Sequence, residues 1–299
     1  VQSYGGKLMS PLIVGGRTVF GALSSQPTGI TTTAGSEYYD TTDSKMKFYD
    51  GTAWAEIGGA AAFAGTNATH WWKSEGISSN TSWVAARGSV DFAAGGSGNL
   101  TLTTNDSNFN GHRTISQASD QSRFLQAGGG GSNGAFWNAS QAFSVILAFR
   151  KTAHIGATWG DCLFVHQRNG QPDASWAIDI EGDHTWNGSY GETFGNYGSF
   201  SFPQKGLMCV RCGANGGSSQ VLWWPSGASS WTTLSTGSNY PSNISNFYDG
   251  ICLFNIDGAS HNGHRFEGAI AEVAYFKDLR IDDTTRDVWK DYLVSKFAL

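Results

Sequence analysis

Short apolar runs separated by Gly, Asn and Ser clusters dominate the chain from residue 63 onward. Runs of this length, rich in β-branched and aromatic residues and bounded by turn formers, are typical of β-strands. About ten such runs at irregular spacing predict an all-β sandwich or jelly roll over residues 63–299. The clearest runs are 100–103, 143–149, 162–166, 176–180, 206–210, 220–224, 250–254 and 269–276.

One segment, near the C-terminus, has the periodicity of a helix instead. Asp282 or Asp283 is predicted to cap it, because an Asp side chain accepts a hydrogen bond from the free N–H groups of a first turn. The apolar face that follows is expected to dock on the sandwich. Five side chains at helical spacing form that face: Val288, Trp289, Tyr292, Leu293 and Phe297.

Residues 1–57 follow a separate pattern of short strands and tight turns. Segments 37–40, 45–49 and 52–57 predict three strands joined by short polar turns. The Gly- and Ala-rich segment 58–62 is typical of a linker. The N-terminal part is therefore predicted to be a small β-meander, tethered to the larger sandwich.

A β-meander of this size buries little apolar surface by itself. We expect it to pack against a copy of itself or against a host surface. The residues predicted to make these attachment or oligomer contacts are Leu12, Ile13, Val14, Val19, Phe20, Tyr39, Phe48 and Trp54.

Composition excludes two classes of partner. The net charge of −5 and a charged fraction of only 14% leave no basic stripe to neutralise phosphates, so nucleic acid is not expected as a partner. No stretch approaches the roughly 20 consecutive apolar residues that a membrane span requires.

The four cysteines, Cys162, Cys209, Cys212 and Cys252, each lie in an apolar, strand-like run. Cys209 and Cys212 form a C-x-x-C pair, but a zinc site requires a second close pair of ligands. This arrangement favours buried free thiols, which suit assembly in a reducing cytoplasm; a disulfide or a metal site remains an alternative.

The C-terminal segment, Phe266 to Phe297, resembles the end of concanavalin-A-like, laminin-G-type lectin and glucanase domains. In that family a strand of the form G-x-I-A-E-x-x-Y precedes a short helix ending in Y-L-x-x-K-[FY]. The segment 142–150 also resembles the central core strand of that fold. The resemblance implies a concanavalin-A-like antiparallel β-sandwich. The matching residues are Gly268, Ile270, Ala271, Glu272, Tyr275, Tyr292, Leu293, Lys296 and Phe297.

A second resemblance lies in Gly35 to Ile57. This segment is similar to a short repeat of phage tail-fibre and other virion proteins, of the form G-x-x-Y-x-D-T-x-x-x-K-x-x-x-Y-D-G-x-x-W. Together with a lectin-like sandwich, it implies a bacteriophage virion protein.

The string W-A-I-D-I-E-G-D-H, residues 176–184, is the most enzyme-like segment. It resembles the E-I-D-I-E motif of glucanases with this fold, but Ala177 stands where their nucleophile is. A retaining mechanism needs two carboxyls roughly 5–5.5 Å apart, so no catalysis is expected here. Alternation places Asp179, Glu181 and Asp183 on one strand face, which is predicted to be a solvated or hydrogen-bonded edge. A Ca²⁺ site is the alternative, since hard cations prefer clustered oxygens, and no other cofactor is expected.

Aromatic residues are the better candidates for binding, because an indole stacks on the apolar C–H face of a pyranose. The predicted glycan site consists of Trp186, Asn187, Tyr190, Asp183 and His184. Trp223 and Trp224 are consecutive in a predicted strand, so one faces the core and the other faces outward. Trp231 is a further aromatic candidate.

We therefore predict a phage virion structural protein that acts in a tail or fibre. It is expected to assemble in the host cytoplasm and to act outside the cell, displaying its lectin-like domain to host-surface polysaccharide. Its other partners are expected to be virion proteins and copies of itself, in a trimer. One alternative is a capsid decoration or head-fibre protein with a purely structural role, and another is a secreted glycoside hydrolase or lyase.

Overall fold

A computed structural model describes the chain in part. The described residues are 3–4, 7–8, 12–14, 17–23, 36–40, 45–49, 54–56, 65, 67–96, 98–118, 123–128, 141–153, 162–168, 176–180, 185–189, 192–194, 203–214, 217–237, 247–254 and 266–299. The chain forms two compact units, Val1–Thr66 and Asn67–Leu299. The attachment role predicted for the first unit stays a prediction.

The N-terminal unit contains a strand pair and a five-stranded sheet in the order β3-β4-β5-β6-β7. Its strands are β1 (Ser3–Tyr4), β2 (Lys7–Leu8), β3 (Leu12–Val14), β4 (Arg17–Leu23), β5 (Glu37–Asp40), β6 (Lys45–Tyr49) and β7 (Trp54–Glu56). β5 and β6 coincide with predicted strands. β4 and β5, however, pair in parallel, so the sheet is mixed rather than a simple meander. The long connection 24–36 permits this, because parallel neighbours need a crossover.

The side chains described in this unit include two of the predicted contact residues. Tyr39 is 37% exposed, whereas Trp54 is half-buried and packs edge-on against the buried Tyr38 at 4.9 Å between ring centroids. For Leu12–Val14, Val19, Phe20 and Phe48 the structure describes the backbone only. Trp54 therefore helps to hold its own sheet together, as well as being a candidate for an outside contact.

The larger unit consists of two antiparallel sheets. One sheet contains β8 (His70–Trp72), β12 (Leu100–Asp106), β13 (His112–Gln117), β15 (Phe143–Lys151), β20 (Gln204–Cys212), β21 (Ser219–Pro225), β22 (Thr232–Gly237) and β24 (Gly268–Lys277). Its order is β12-β13-β24-β15-β20-β21-β22, with β8 pairing with β24.

The other sheet has the order β19-β18-β17-β16-β23-β14-β11-β10-β9. Its strands are β9 (Ile77–Ser79), β10 (Ser82–Trp83), β11 (Phe92–Gly95), β14 (Phe124–Gly128), β16 (Cys162–Arg168), β17 (Trp176–Ile180), β18 (Thr185–Ser189), β19 (Glu192–Phe194) and β23 (Phe247–Leu253). Short 3₁₀ helices occupy Ser74–Gly76 and Ser107–Phe109. The predicted sandwich is therefore confirmed.

The central strand β15 is buried on both faces, which explains its uninterrupted apolar sequence. Phe143, Val145 and Leu147 point into the core between the sheets. Ile146 and Ala148 alternate with them and are also fully buried. The outer face of the sheet is therefore covered by a third layer, the C-terminal helix.

Helix α1 (Asp283–Phe297) provides that layer. Asp282 caps it, as one of the two predicted alternatives, by accepting a hydrogen bond from Thr285 N at 2.7 Å. Trp289, Leu293 and Phe297, at intervals of four residues, are buried against the sheet. Val288 is 45% exposed, so the prediction that it joins this face is wrong. Tyr292 does join the face, because its ring packs edge-on against Trp71 at 5.7 Å between centroids. No helix in the described ranges has the length and apolar character needed to cross a membrane.

Candidate functional site

A groove of about 510 Å³ lies between the N-terminal half of α1 and the outer face of strands β20–β22. We call it the helix–sheet groove. Gln220, Leu222 and Trp224 alternate along β21 and therefore face the same side of the sheet. Arg211 pairs with Gln220 across β20 and β21, and Thr233 pairs with Leu222 across β21 and β22. These five side chains form the floor of the groove.

One side of the helix forms the opposite wall. This wall consists of Asp283 and of the residues three, four and seven positions after it, which are Arg286, Asp287 and Lys290. Residues at this spacing lie on a single face of a helix. The turn between β21 and β22 closes one end with Ser229, Ser230 and Trp231. The groove is thus built from secondary-structure elements that the sandwich holds in place.

Two indole rings meet at the end of the groove that is formed by the turn between β21 and β22. The rings of Trp224 and Trp231 pack edge-to-face, with centroids 5.6 Å apart. Lys290 Nζ lies 4.7 Å above the Trp224 ring, and the Arg286 guanidinium lies 5.4 Å from the Trp231 ring. Trp231 Nε1 also donates a hydrogen bond to Asp287 Oδ1 at 2.9 Å. Both indoles are therefore held in defined orientations.

The acidic groups of the groove already have cationic partners. Asp283 Oδ1 accepts hydrogen bonds from Arg211 Nη1 at 2.6 Å and from Arg286 Nη1 at 2.9 Å. Asp287 accepts from Arg286 through both carboxylate oxygens, at 2.9 and 3.0 Å. The hydrogen bond from Arg286 lowers the pKa of Asp287, against a smaller opposing effect of burial. Asp287 is therefore stabilised in the ionised state, and Asp283 has two guanidinium partners.

Two hydrogen-bond donors lining the groove have no acceptor among the described residues: Trp224 Nε1 and Arg211 Nε. Trp224 is 7% exposed and Arg211 is 5% exposed. A buried donor without an acceptor costs roughly 1–3 kcal/mol, so two at one site are unusual in a stable fold. The groove thus combines aromatic surface with N–H groups that lack a partner.

The predicted glycan site lies elsewhere and only partly within the described residues. Trp186 and Asn187 lie on β18, where their backbones pair with Asp179 and Ile178 of β17. The structure describes only the backbone of these strands. The other residues of the predicted glycan and Ca²⁺ sites lie outside the described residues: Glu181, Asp183, His184 and Tyr190. Both sites stay predictions.

The described residues contain no group of three or more His, Cys, Asp or Glu side chains that could hold a metal ion. Strand β19, the neighbour of β18, contacts β22, which carries part of the groove floor. Strand β18, which carries Trp186 and Asn187, is therefore one strand away from a strand that contacts the groove floor.

Sequence reasoning found the aromatic residues of the groove but not its charged ones. Trp223 and Trp224 do point to opposite faces: Trp223 packs against Phe149 in the core, and Trp224 faces the groove. The charged spacing along α1 is visible in the sequence. It does not reveal that this charged face borders a sheet, so Arg286 and Lys290 look like ordinary solvent-exposed residues.

A second polar cluster lies under the C-terminal half of α1. Glu272 is 1% exposed and accepts hydrogen bonds from Trp71 Nε1 at 2.7 Å, Tyr292 OH at 2.9 Å and Lys296 Nζ at 2.7 Å. Lys296 Nζ also donates to Glu75 at 2.9 Å. Burial raises the pKa of Glu272, and Lys296 acts in the opposite direction. Glu272, Tyr292 and Lys296 belong to the C-terminal motif, whose two halves are thereby joined. These hydrogen bonds hold the C-terminal half of α1 on the sheet.

The cysteines do not form a reactive pair. Cys209 and Cys212 are three residues apart on β20 and therefore face opposite sides of the sheet. Burial raises the pKa of each thiol to about 12. Cys209 and Cys212 are free and buried, as predicted, and Cys252 is buried as well. The side chain of Cys162 lies outside the described residues.

Several solved structures have a similar fold. Botulinum neurotoxin type C, whose cell entry depends on interaction with two ganglioside molecules, matches with a TM-score of 0.53 and 12% identity over 78% of this chain and 53% of that one. The binding domain of botulinum neurotoxin DC in complex with rat synaptotagmin II gives 0.52 and 12%, over 77% and 52%. The binding domain of Paraclostridial Mosquitocidal Protein 1 gives 0.50 and 10%, over 77% and 52%.

These likenesses establish the fold: a β-sandwich of a kind also used by proteins that bind other molecules. This chain spans about half the length of each match, so the ligands of those proteins are not assigned to the half that it resembles. No protein-family model and no curated protein matches the chain.

Proposed function

We propose that this chain is a non-enzymatic, lectin-like recognition protein of a phage particle, which binds a host-surface glycan in the helix–sheet groove. The observation that carries this proposal is the pairing of Trp224 and Trp231, in one concave site, with two N–H donors that lack a partner among the residues that the structure describes. The resemblance of residues 35–57 to virion repeats supports the phage assignment.

The chemistry of the groove suits a saccharide. A sugar ring has an apolar C–H face, which packs on indoles, and a polar rim, which requires hydrogen-bonding partners. The cavity of about 510 Å³ lies within the range of roughly 300–1,000 Å³ typical of ligand sites. The indoles lie on a strand and a tight turn rather than on a long loop, and a rigid platform of this kind lowers the entropic cost of binding.

Hydrolysis in this groove is disfavoured by the state of its carboxylates. Glycoside cleavage requires a carboxylic acid that donates a proton to the leaving oxygen. Asp287 is ionised by its hydrogen bonds to Arg286, and Asp283 is held by two arginines. Asp287 is therefore unsuited to act as a general acid, and Asp283 is already engaged by Arg211 and Arg286, which supports binding rather than cleavage.

The virion assignment includes a location and partners. We propose that the chain assembles in the host cytoplasm, in keeping with the free thiols, and then acts outside the cell on the particle. The N-terminal unit, with the exposed Tyr39, is proposed to contact virion proteins or sister copies, in a trimer. A tail or fibre position is preferred to a head decoration, because a recognition surface must reach the host.

A glycan array tests the recognition proposal. The full chain is compared with Trp231→Ala, in the groove, and with Trp186→Ala, in the segment predicted from sequence. Loss of at least about tenfold in affinity for Trp231→Ala alone is expected, corresponding to one lost stacking contact of roughly 1.5 kcal/mol. The same array with and without EDTA tests the predicted Ca²⁺ site.

Three outcomes contradict parts of the proposal. Absence of any glycan ligand favours the purely structural alternative. Loss of binding in Trp186→Ala but not in Trp231→Ala moves the site to β18. Sustained release of reducing ends from a bound glycan, abolished by Glu181→Gln, identifies a hydrolase or lyase instead.

A further inference from the structure

We infer that the helix–sheet groove selects anionic saccharides, whose carboxylate accepts hydrogen bonds from its surplus donors. This inference rests on the proposed function, because it names the class of glycan that the same groove takes.

The groove is locally cationic in an acidic protein. Three cationic side chains line it, Arg211, Arg286 and Lys290, against two carboxylates, Asp283 and Asp287. The whole chain has a net charge of −5. A local excess of positive charge, set in a concave surface of low dielectric, attracts an anion more strongly than the same charge on an open surface.

The hydrogen-bond inventory points in the same direction. Both carboxylates are already engaged by guanidinium groups, and Gln220 Oε1 accepts from Arg211 and from Arg280. Two buried groups of the groove have no hydrogen-bond partner within the described ranges, and both are donors: Trp224 Nε1 and Arg211 Nε. A neutral sugar hydroxyl donates as well as accepts, whereas a carboxylate only accepts. An acceptor-only ligand group is therefore the better complement to this groove.

Lys290 is the cation most available to a ligand. Its ammonium group pairs only with Asp291 Oδ1 among the described residues, at 2.6 Å, and the Asp291 side chain is 73% exposed. An exposed partner of this kind contributes little, because water screens the pair. Lys290 Nζ lies 4.7 Å above the Trp224 ring, so a sugar placed beside that indole has a cation within reach of its carboxylate.

The fold offers a matched control for Lys290. Lys73 Nζ lies 4.7 Å above the ring of Trp71, which repeats the same lysine–indole geometry outside the groove. Lys73→Gln removes the same charge from the same kind of contact. Any general effect of net charge or of lost cation–π contact therefore appears in both variants, and only a ligand contact is specific to Lys290.

The experiment is isothermal titration calorimetry with oligogalacturonate, oligomannuronate and α2,8-linked oligosialate. Each probe is paired with its carboxyl-reduced, neutral counterpart. At least one acidic probe is expected to bind at least about tenfold more tightly than its neutral partner, because one charge-assisted hydrogen bond raises affinity by about this factor. Lys290→Gln is expected to reduce that ratio to below about threefold, whereas Lys73→Gln preserves it. Raising the salt concentration is expected to weaken only the acidic probe.

Equal binding of the acidic and neutral probes overturns this inference but leaves glycan recognition intact. An acidic preference that persists in Lys290→Gln and disappears in Lys73→Gln also overturns it, because the selecting charge then lies outside the groove. Failure of the acidic and neutral probes alike, on the calorimeter and on the glycan array, contradicts the inference and the proposed function together.

Discussion

The two halves of helix α1 lie on the same sheet but leave its polar groups in different states. Under the C-terminal half, Glu272 has three donors and the apolar side chains of Leu293 and Phe297 are buried. Under the N-terminal half, the helix faces a groove in which Trp224 Nε1 and Arg211 Nε have no acceptor in the part of the chain that the structure describes. We call these the closed half and the open half. The comparison indicates that the closed half stabilises the fold, which leaves the open half available for a ligand.

The sharpest test of this comparison exchanges one lysine in each half. Lys296→Met leaves the buried Glu272 without its cation and is expected to lower the free energy of unfolding by about 3–5 kcal/mol at pH 7. Lys290→Met, in the open half, is expected to cost less than about 1 kcal/mol, since its partner is exposed. Urea denaturation measures both. Equal losses contradict the division of the helix into two halves.

A second test concerns the apolar seam of the helix. Leu293→Ala removes a side chain that is 1% exposed and is expected to cost about 2–5 kcal/mol. Val288→Ala, at a position 45% exposed, is expected to change stability by no more than about 0.5 kcal/mol. Thermal and urea unfolding distinguish the two. A large loss in Val288→Ala indicates that this side chain is covered in solution.

The closed half also predicts a pH dependence. Burial raises the pKa of Glu272 above the unfolded value of about 4.3, so the folded chain holds this proton more tightly than the unfolded chain does. The contribution of Glu272 to stability is therefore greatest below the unfolded pKa and falls as the pH rises through the folded pKa. Removal of the Lys296 charge raises that pKa further, so the deficit of Lys296→Met should be smaller at pH 5 than at pH 8.

The control for this pH effect is the double variant Lys296→Met/Glu272→Gln, which has no carboxylate at that position. Its stability relative to the wild type should vary less between pH 5 and pH 8 than that of Lys296→Met. A deficit in Lys296→Met that is constant over this range indicates that Glu272 is not the group responsible.

The smallest expected effect is a difference in the rates at which iodoacetamide labels the cysteine thiols. Cys209 faces the side of the sheet that α1 covers, and Cys212 faces the core; burial raises both pKa values to about 12. Iodoacetamide at pH 8 should therefore label neither in the native protein, because the thiolate is the reactive form. In Lys296→Met, a loosened helix should expose Cys209 before Cys212. Peptide mapping by mass spectrometry separates the two sites, and equal rates contradict this order.

Local pattern was sufficient to predict much of the fold. Alternation and turn residues predict β5 and β6 within the first unit, and the apolar run at 143–149 predicts the central strand. Helical spacing predicts α1 and its Asp282 cap, because these signals depend on neighbouring residues only. The parallel pairing of β4 with β5 was missed, because strand order depends on contacts that are remote in sequence.

The candidate site was less predictable for the same reason. Trp224 was identified as one of two consecutive indoles with opposite orientations, but Arg211 lies in an apolar run and gives no signal of a site. It is separated by 72 residues in sequence from its partner Asp283. Only the docking of α1 across β20–β22 places these residues together. Glu272 and Lys296, in contrast, both belong to the C-terminal motif of the sequence. The structure explains their joint presence there, because the two side chains form an ion pair.

The central claim, that a saccharide binds in the open half of the helix–sheet contact, is tested most directly by the indole N–H signals in a two-dimensional NMR spectrum. Addition of a glycan that binds should shift the Nε1–H signals of Trp224 and Trp231. The signals of Trp72 and Trp83, which donate to the Val90 and Lys73 carbonyls, should stay in place. Shifts confined to Trp186, with Trp224 and Trp231 unchanged at saturation, contradict the account.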